Sequence, residues 1–316
     1  MEFLKALRVI EEVKKAVKGK DEVIENVMLA VLAQGHVLME DIPGVGKTTL
    51  ALAFAKSMKM DVNRMQFTID VLPSDVVGFS MYNMKTQDFE YHEGAVMCNL
   101  FLADEINRTS SKTQSALLEA MEEGQVTVDG VSRKIPSPFT VIATQNPTGS
   151  AGTQMLPESQ LDRFMLKLSM GYPDAASEVE ILENRSNRNI LDDVMQIATK
   201  EDIELMQQEV SSVHVDKAVY EYMVMLCSLT REHPFVELGV SPRGTVALAA
   251  MARAKAYVNG RAYVTPNDVK AVFPYVVKHR IVLNAKARVK KATVEAVIDS
   301  VFKAVPTPRP IKNEGK

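Results

Sequence analysis

A short apolar run, His36-Val37-Leu38-Met39, stops at Asp41-Ile42-Pro43-Gly44-Val45-Gly46-Lys47-Thr48, and a helical pattern runs from Lys47 to about Met60. No other stretch constrains the chain as much. A buried strand that enters a Pro/Gly turn and leaves as a helix points to an α/β fold. The glycines sit where backbone must come close to a ligand. In such a turn consecutive N–H groups point inward, and the helix N-terminus adds partial positive charge, so the ligand is an anion. The pattern G-x-x-x-x-G-K-[ST] assigns Lys47 to the β- and γ-phosphates of a nucleotide and the Thr48 hydroxyl to Mg2+. Pro43, Gly44, Val45, Gly46, Lys47, Thr48 and Thr49 are the candidate phosphate-binding residues, and the chain departs from the pattern at Asp41, where it has Gly.

The alternation of strands and helices continues. Met65–Thr68, Leu100–Ala103, Phe139–Thr144 and Phe164–Leu168 read as strands, and Lys112–Glu123 reads as a helix. Apolar residues on both faces of such strands imply a parallel sheet covered on two sides. Upstream, Leu4, Leu7, Ile10, Val13 and Val17 recur at helical spacing, and a second helix spans Asp21 to about Gln34. Gln125–Ile135 alternates around Asp129-Gly130, a hairpin turn signal. From Pro173 the pattern becomes helical: Ala175–Arg185, Lys200–Val210, Asp216–Thr230, Pro242–Asn259 and Pro266–Val277, with no good strand run between them. Thr265, followed by Pro266 and Asp268, is an N-cap candidate. The expected organisation is an α/β nucleotide-binding core over residues 1–171, a smaller all-helical lid over 172–304 and a flexible tail over 305–316.

Asp104 and Glu105 end the Leu100–Ala103 strand. At the carboxyl end of a parallel sheet both would face the ligand mouth. Acidic pairs at strand ends are often merely solvated; downstream of a phosphate loop they gain a task. Asp104 is placed to hold Mg2+ through water, and Glu105 to orient and deprotonate an attacking water.

Charge and composition exclude several classes. Residues 1–171 carry 17 Lys+Arg against 22 Asp+Glu, and the remainder 20 against 18. Neither half is the basic body of a protein that grips nucleic acid along its surface. Cys98 and Cys227 form no C-x-x-C pair and read as buried thiols in a reducing compartment. Lys5, Arg8, Glu11 and Glu12 interrupt any signal-peptide core, and no apolar run approaches the roughly 20 residues that span a bilayer, so the expected location is cytoplasmic. The 18 methionines scatter and read as core filling. Lys278, Arg280, Lys286, Arg288, Lys290 and Lys291 form a basic run that reads as a solvated helix face or, less often, a dock for an anionic partner.

Lys47-Thr48, Asp104-Glu105-Ile106-Asn107-Arg108 and Leu161-Asp162-Arg163-Phe164 together resemble a AAA+ ATPase, specifically of the MoxR family. Gln66-Phe67-Thr68, Leu72-Pro73-Ser74-Asp75, Gly78-Phe79, Lys112-Thr113-Gln114 and Ala143-Thr144-Gln145-Asn146-Pro147 follow in family order, and the resemblance runs from about Val17 to beyond Arg261. It implies ATP or ADP as ligand with Mg2+. It implies Asn146 as sensor 1, Arg163 as an arginine finger completing the neighbouring subunit's site, and Arg243 as sensor 2 reaching from the lid. Taken alone, Asn146 is a turn residue before Pro147, Arg163 a partner for Asp162, and Arg243 a surface arginine at a helix start. Val17 and Gly19 resemble the stretch that packs on adenine, although Lys20 stands where the family often has Gln. Phe79–Ala95 sits where this clade inserts extra structure into a helix, and with the 125–135 hairpin it would face a ring's central pore. The resemblance further implies a homo-oligomeric, hexameric ring that remodels or matures client proteins, often ones with a von Willebrand factor A domain. The alternatives are a nucleic-acid motor, a magnesium-chelatase-like motor subunit, and a nucleotide-gated scaffold without turnover.

Overall fold

The computed structural model describes residues 2–42, 44–146, 155–173, 175–179 and 190–308. The chain forms two compact units, Met1–Gln208 and Glu209–Lys316.

The first unit is built on five parallel strands: β1 (Val37–Glu40), β2 (Val62–Gln66), β5 (Leu100–Asp104), β8 (Thr140–Gln145) and β9 (Leu166–Leu168), in the spatial order β2-β5-β8-β1-β9. The three central strands β5, β8 and β1 are buried almost throughout, as the apolar stretches at their centres, Leu100–Ala103, Val141–Ala143 and Val37–Met39, require. Helices α1 (Phe3–Ala16), α2 (Asp21–Leu32) and α3 (Lys47–Ser57) belong to this unit, with α1 packed on both of the others. Leu38, Phe67, Phe101, Leu117, Met121, Val141 and Phe164 form a core between the sheet and α5 (Ser111–Glu123). Ser110 caps α5 by accepting from the Thr113 N–H, and Gly124 ends it with φ +61°.

Parallel pairing sets the strand ends level. Met39 lies beside Thr144 and Glu40 beside Gln145. Ala103 lies beside Ala143, and Gln66 beside Asp104. Whatever chemistry follows these residues therefore gathers at one edge of the sheet.

Two hairpins decorate the unit. The stretch 79–95, expected as inserted structure, contains the antiparallel pair β3 (Gly78–Asn83) and β4 (Asp88–Glu93) after a short helix, α4 (Pro73–Val77). Met81, Met84 and Phe89 are exposed on it. The second hairpin, β6 (Gln125–Val128) with β7 (Val131–Lys134), turns at Asp129 and Gly130, both with positive φ, as the sequence pair demands.

The first unit continues past the change in character at Gly171–Pro173. The Ile197 and Ala198 N–H groups both donate to the Ser57 carbonyl, and Lys56 Nζ donates to that of Leu191. Residues 180–185 of the expected Ala175–Arg185 helix lie outside the described residues.

The second unit is a helical lid. After α6 (Glu158–Leu161) and α7 (Lys200–Ser211), the helices α8 (Lys217–Glu232), α9 (Pro242–Val258) and α10 (Pro266–Val277) start at Asp216, Ser241 and Thr265; Asp216 and Ser241 accept a backbone N–H at their side chains, whereas the Thr265 N–H and hydroxyl both donate to the Asp268 carboxylate. Tyr222, Leu226, Leu248, Met251, Phe273 and Val301 fill its core. The lid is not purely helical: β10 (Val236–Leu238) pairs antiparallel with β11 (Val282–Leu283). Segments of three and two residues are too short to show a period. Of the basic run, Lys286, Arg288 and Lys290 lie on one short helix, Ala285–Lys290, and Lys278, Arg280 and Lys291 lie in the turns on either side of it. Lys278 pairs with Glu295 at 2.6 Å, and Arg280 is buried with its guanidinium on the Val276 carbonyl, so the run is no uniform solvated face. Of the expected tail, residues 309–316 lie outside the described ones, and Val305 is buried.

Candidate nucleotide site

The loop between β1 and α3 takes its shape from two glycines. Gly44 has φ +86° and Gly46 φ +95°, values that disfavour any side chain. Space is not the reason for glycine. An added Cβ would meet nothing within 4 Å at Gly44 and only Met170 Cε, at 3.8 Å, at Gly46. Gly46 serves as N-cap of α3, and Lys47 opens the helix. The Lys47 ammonium arches back over the loop, donating to the carbonyls of Asp41 at 3.3 Å and Ile42 at 3.1 Å.

Asp41, the departure from the phosphate-loop pattern, has its own work. Its carboxylate, in a residue only 5% exposed, accepts from Ser169 Oγ at 2.8 Å, Met170 N–H at 2.8 Å and Gly171 N–H at 3.0 Å. These bonds tie the loop's entrance to the segment leaving β9. A glycine at this position would leave those donors without their acceptor.

Asp104 ends β5 with a side chain 8% exposed. Its Oδ2 accepts from Arg64 Nε at 2.7 Å, and its Oδ1 from Thr144 Oγ1 at 3.3 Å. The next residue, Glu105, adopts φ +56° and ψ +49°, a left-handed conformation that costs a non-glycine residue about 1–2 kcal/mol. Thr144 offsets part of that cost, because its Oγ1 accepts the Glu105 N–H at 2.9 Å. The turn swings the Glu105 carboxylate off the strand axis, where Arg108 Nη1 donates to Oε2 at 2.7 Å. Asn107, fully buried, donates from Nδ2 to the Asn146 carbonyl at 3.2 Å, which ties the turn after β5 to the end of β8.

Gly44, Gly46, Lys47, Thr48, Thr49, Asp104 and Glu105 line one cavity of about 290 Å3 together with Arg64, Gln66 and Thr144. The first seven were legible in the sequence and the last three were not. The signal for Arg64 and Gln66 is the two-residue period of β2 beside β5, which puts both side chains on one face. The remaining sequence-predicted residues are placed as follows. Val45, Val17, Gly19 and Asn146 belong to the same unit: Val17 is buried, Gly19 has φ +67°, and Lys20 Nζ donates to the Tyr172 carbonyl at 2.8 Å. Arg163 is partly exposed and pairs with Glu122 at 2.9 Å. Arg243 stands exposed in the first turn of α9, in the second unit, and Pro43 lies outside the described residues.

The donor set suits the ligands expected of it. A lysine over a glycine turn fits phosphate, and a threonine hydroxyl and an aspartate on one cavity are the hard oxygen donors that Mg2+ takes alongside phosphate and water. Among the described residues no separate His/Cys/Asp/Glu cluster could hold a metal ion, and no helix is long and apolar enough to cross a membrane.

Comparison with known proteins agrees with this geometry. The family "ATPase family associated with various cellular activities (AAA)" matches residues 36–166, and the AAA lid domain matches residues 228–301. YeaC of Bacillus subtilis, an uncharacterized protein, is 47% identical over 95% of this chain and 94% of its own. Chaperone MoxR1 of Mycobacterium tuberculosis is 38% identical over 96% of this chain and 82% of its own. A crystal structure of a candidate ATPase from Cytophaga hutchinsonii superposes with a TM-score of 0.90 at 36% identity, covering 98% of this chain and 96% of that one. With its phosphate loop, its carboxylate-tipped β5 and its helical lid, the chain belongs to the MoxR family of AAA+ ATPases.

Proposed function

We propose that the protein hydrolyses ATP in an oligomeric ring, hexameric as the resemblance implies, and spends the resulting motion on remodelling or maturing client proteins. The observation that carries this reading is the cavity that unites the phosphate loop with Asp104 and Glu105. Lys47 exchanges its two carbonyl bonds for the β- and γ-phosphates. Thr48 and Asp104 would hold a magnesium ion, which when bound would neutralise charge on the phosphates. Glu105 orients the attacking water and takes its proton. Asn146, fixed through its carbonyl by Asn107, helps place that water.

The cavity's own cations are Lys47 and Arg64, and Arg163 is held on Glu122. The family resemblance gives Arg163 to a neighbouring copy's site and makes Arg243 the group that carries the nucleotide's state to the lid. A finger of this kind is worth about 10³–10⁵ in rate, or about 4–7 kcal/mol of barrier. The chaperone-like role draws on the name borne by the Mycobacterium relative. A client with a von Willebrand factor A domain is the partner that the family resemblance suggests.

Phosphate release measured against protein concentration tests the proposal. Turnover per subunit should rise with concentration, and Glu105→Gln should abolish it while nucleotide still binds. A rate independent of concentration would remove the shared site, and full activity in Glu105→Gln would remove the assigned base.

A further inference from the structure

Arg64 is the charged side chain in the cavity wall to which the proposed chemistry gives no task. It stands on β2, two residues before Gln66, the register partner of Asp104. The side chain is 52% exposed, yet its Nε sits 2.7 Å from Oδ2 of a carboxylate that is 8% exposed. The other oxygen of Asp104 is taken by Thr144, a residue buried within β8. Both oxygens of the carboxylate assigned to the metal are thus engaged, and one of the two partners is itself a cation.

We propose that Arg64 is a positioning residue for metal loading: its guanidinium neutralises Asp104 and competes for Oδ2 with a divalent cation or the water that bridges to it. This inference rests on the reading of the cavity as a magnesium–nucleotide site. A guanidinium and a divalent cation brought to the same carboxylate repel each other, so each weakens the other's hold and the two compete. It is also reversible, because an ion pair whose arginine is half exposed is weak. A largely buried carboxylate beside a polyphosphate is costly when unpaired. Trading one cation for another keeps Asp104 compensated throughout loading. Arg108 provides the contrast, since its guanidinium lies on Glu105, a group that the proposal does not assign to the metal.

The test is a Mn2+ titration of the full-length protein with saturating fluorescent ADP, bound metal being read by electron paramagnetic resonance. Arg64→Ala should lower the half-saturating metal concentration about three- to tenfold, the range for a half-exposed pair on a mostly buried carboxylate. Arg64→Lys, which keeps the charge, should stay nearer the wild-type value. Arg64→Gln should follow Arg64→Ala, and it substitutes for that variant if alanine impairs folding. An unchanged or raised half-saturation point in the neutral variants would overturn the proposal. So would an equal drop in Arg108→Ala, which would mark a general charge effect. Failure of the wild type to bind ADP at all would sink the nucleotide reading, whereas intact binding with an unmoved metal titration would sink only the role of Arg64.

Discussion

Acidification should loosen the strand that leads into the phosphate loop, and His36 sets by how much. The ring is buried just before β1, where it donates from Nε2 to the Met121 carbonyl at 3.0 Å and accepts at Nδ1 from the Val141 N–H at 3.0 Å. A neutral imidazole satisfies both neighbours, whereas a proton added at Nδ1 would set two donors face to face. Burial pushes the pKa from 6.5 down to about 4, with the Met121 carbonyl pulling weakly the other way. The folded value lies below the unfolded one, so this stabilisation is whole above pH 6.5 and is lost as pH falls toward 4. At about 1.36 kcal/mol per pH unit the gap is worth about 3 kcal/mol, most of it gone by pH 4.5. Hydrogen exchange of a peptide containing Val141, corrected for intrinsic rates, reads the effect at pH 7.5 and 4.5. The wild type should lose about 3 kcal/mol more protection than His36→Gln, whose amide offers a donor and an acceptor but does not titrate. Equal losses in the two proteins would refute the reasoning.

Two other substitutions probe the site's framework. Asp41→Ala removes the acceptor of three hydrogen bonds, so thermal unfolding of the first unit should shift down by an amount equivalent to about 2–4 kcal/mol, with Asp41→Asn recovering part of it. A melting curve unmoved by Asp41→Ala would deny that these bonds anchor the loop. Thr144→Val keeps the side chain's shape but strips Glu105 N–H of its acceptor and Asp104 of a donor, at a cost of about 1–3 kcal/mol. Steady-state phosphate release should fall about ten- to hundredfold while nucleotide affinity stays near wild type; a loss of affinity with turnover intact would contradict that assignment.

The parts of the site that were legible in the sequence are those where residue type and local position coincide. Lys47 and Thr48 follow a glycine turn, and Asp104 and Glu105 tip an apolar strand, so each needs only its neighbours to be read. Arg64 and Thr144 meet Asp104 from across the sheet, about 40 residues away on either side. Their part depends on which strands pair and in what register, and no local pattern carries that. Asp41 is the clearest case. It looked like a flaw in a motif because its three partners lie nearly 130 residues downstream. The sheet was readable from unbroken apolar runs, whereas β10 and β11 were too short to show a period. The extent of the first unit was hidden for another reason: Ile197 and Ala198 join it through the Ser57 carbonyl, a backbone bond without a side-chain signature.

Mixing two damaged subunits tests the composite site most directly. On the proposed mechanism Glu105→Gln would lack the base and Arg163→Ala the finger, so each alone should bind ATP and turn it over very slowly. If the proposed ring forms, mixing at equal concentration would create interfaces in which Glu105 of one copy faces Arg163 of the next, and phosphate release should rise well above either variant alone. If mixing restores nothing, or if Arg163→Ala by itself works as fast as the wild type, ATP is not hydrolysed between two copies of this chain.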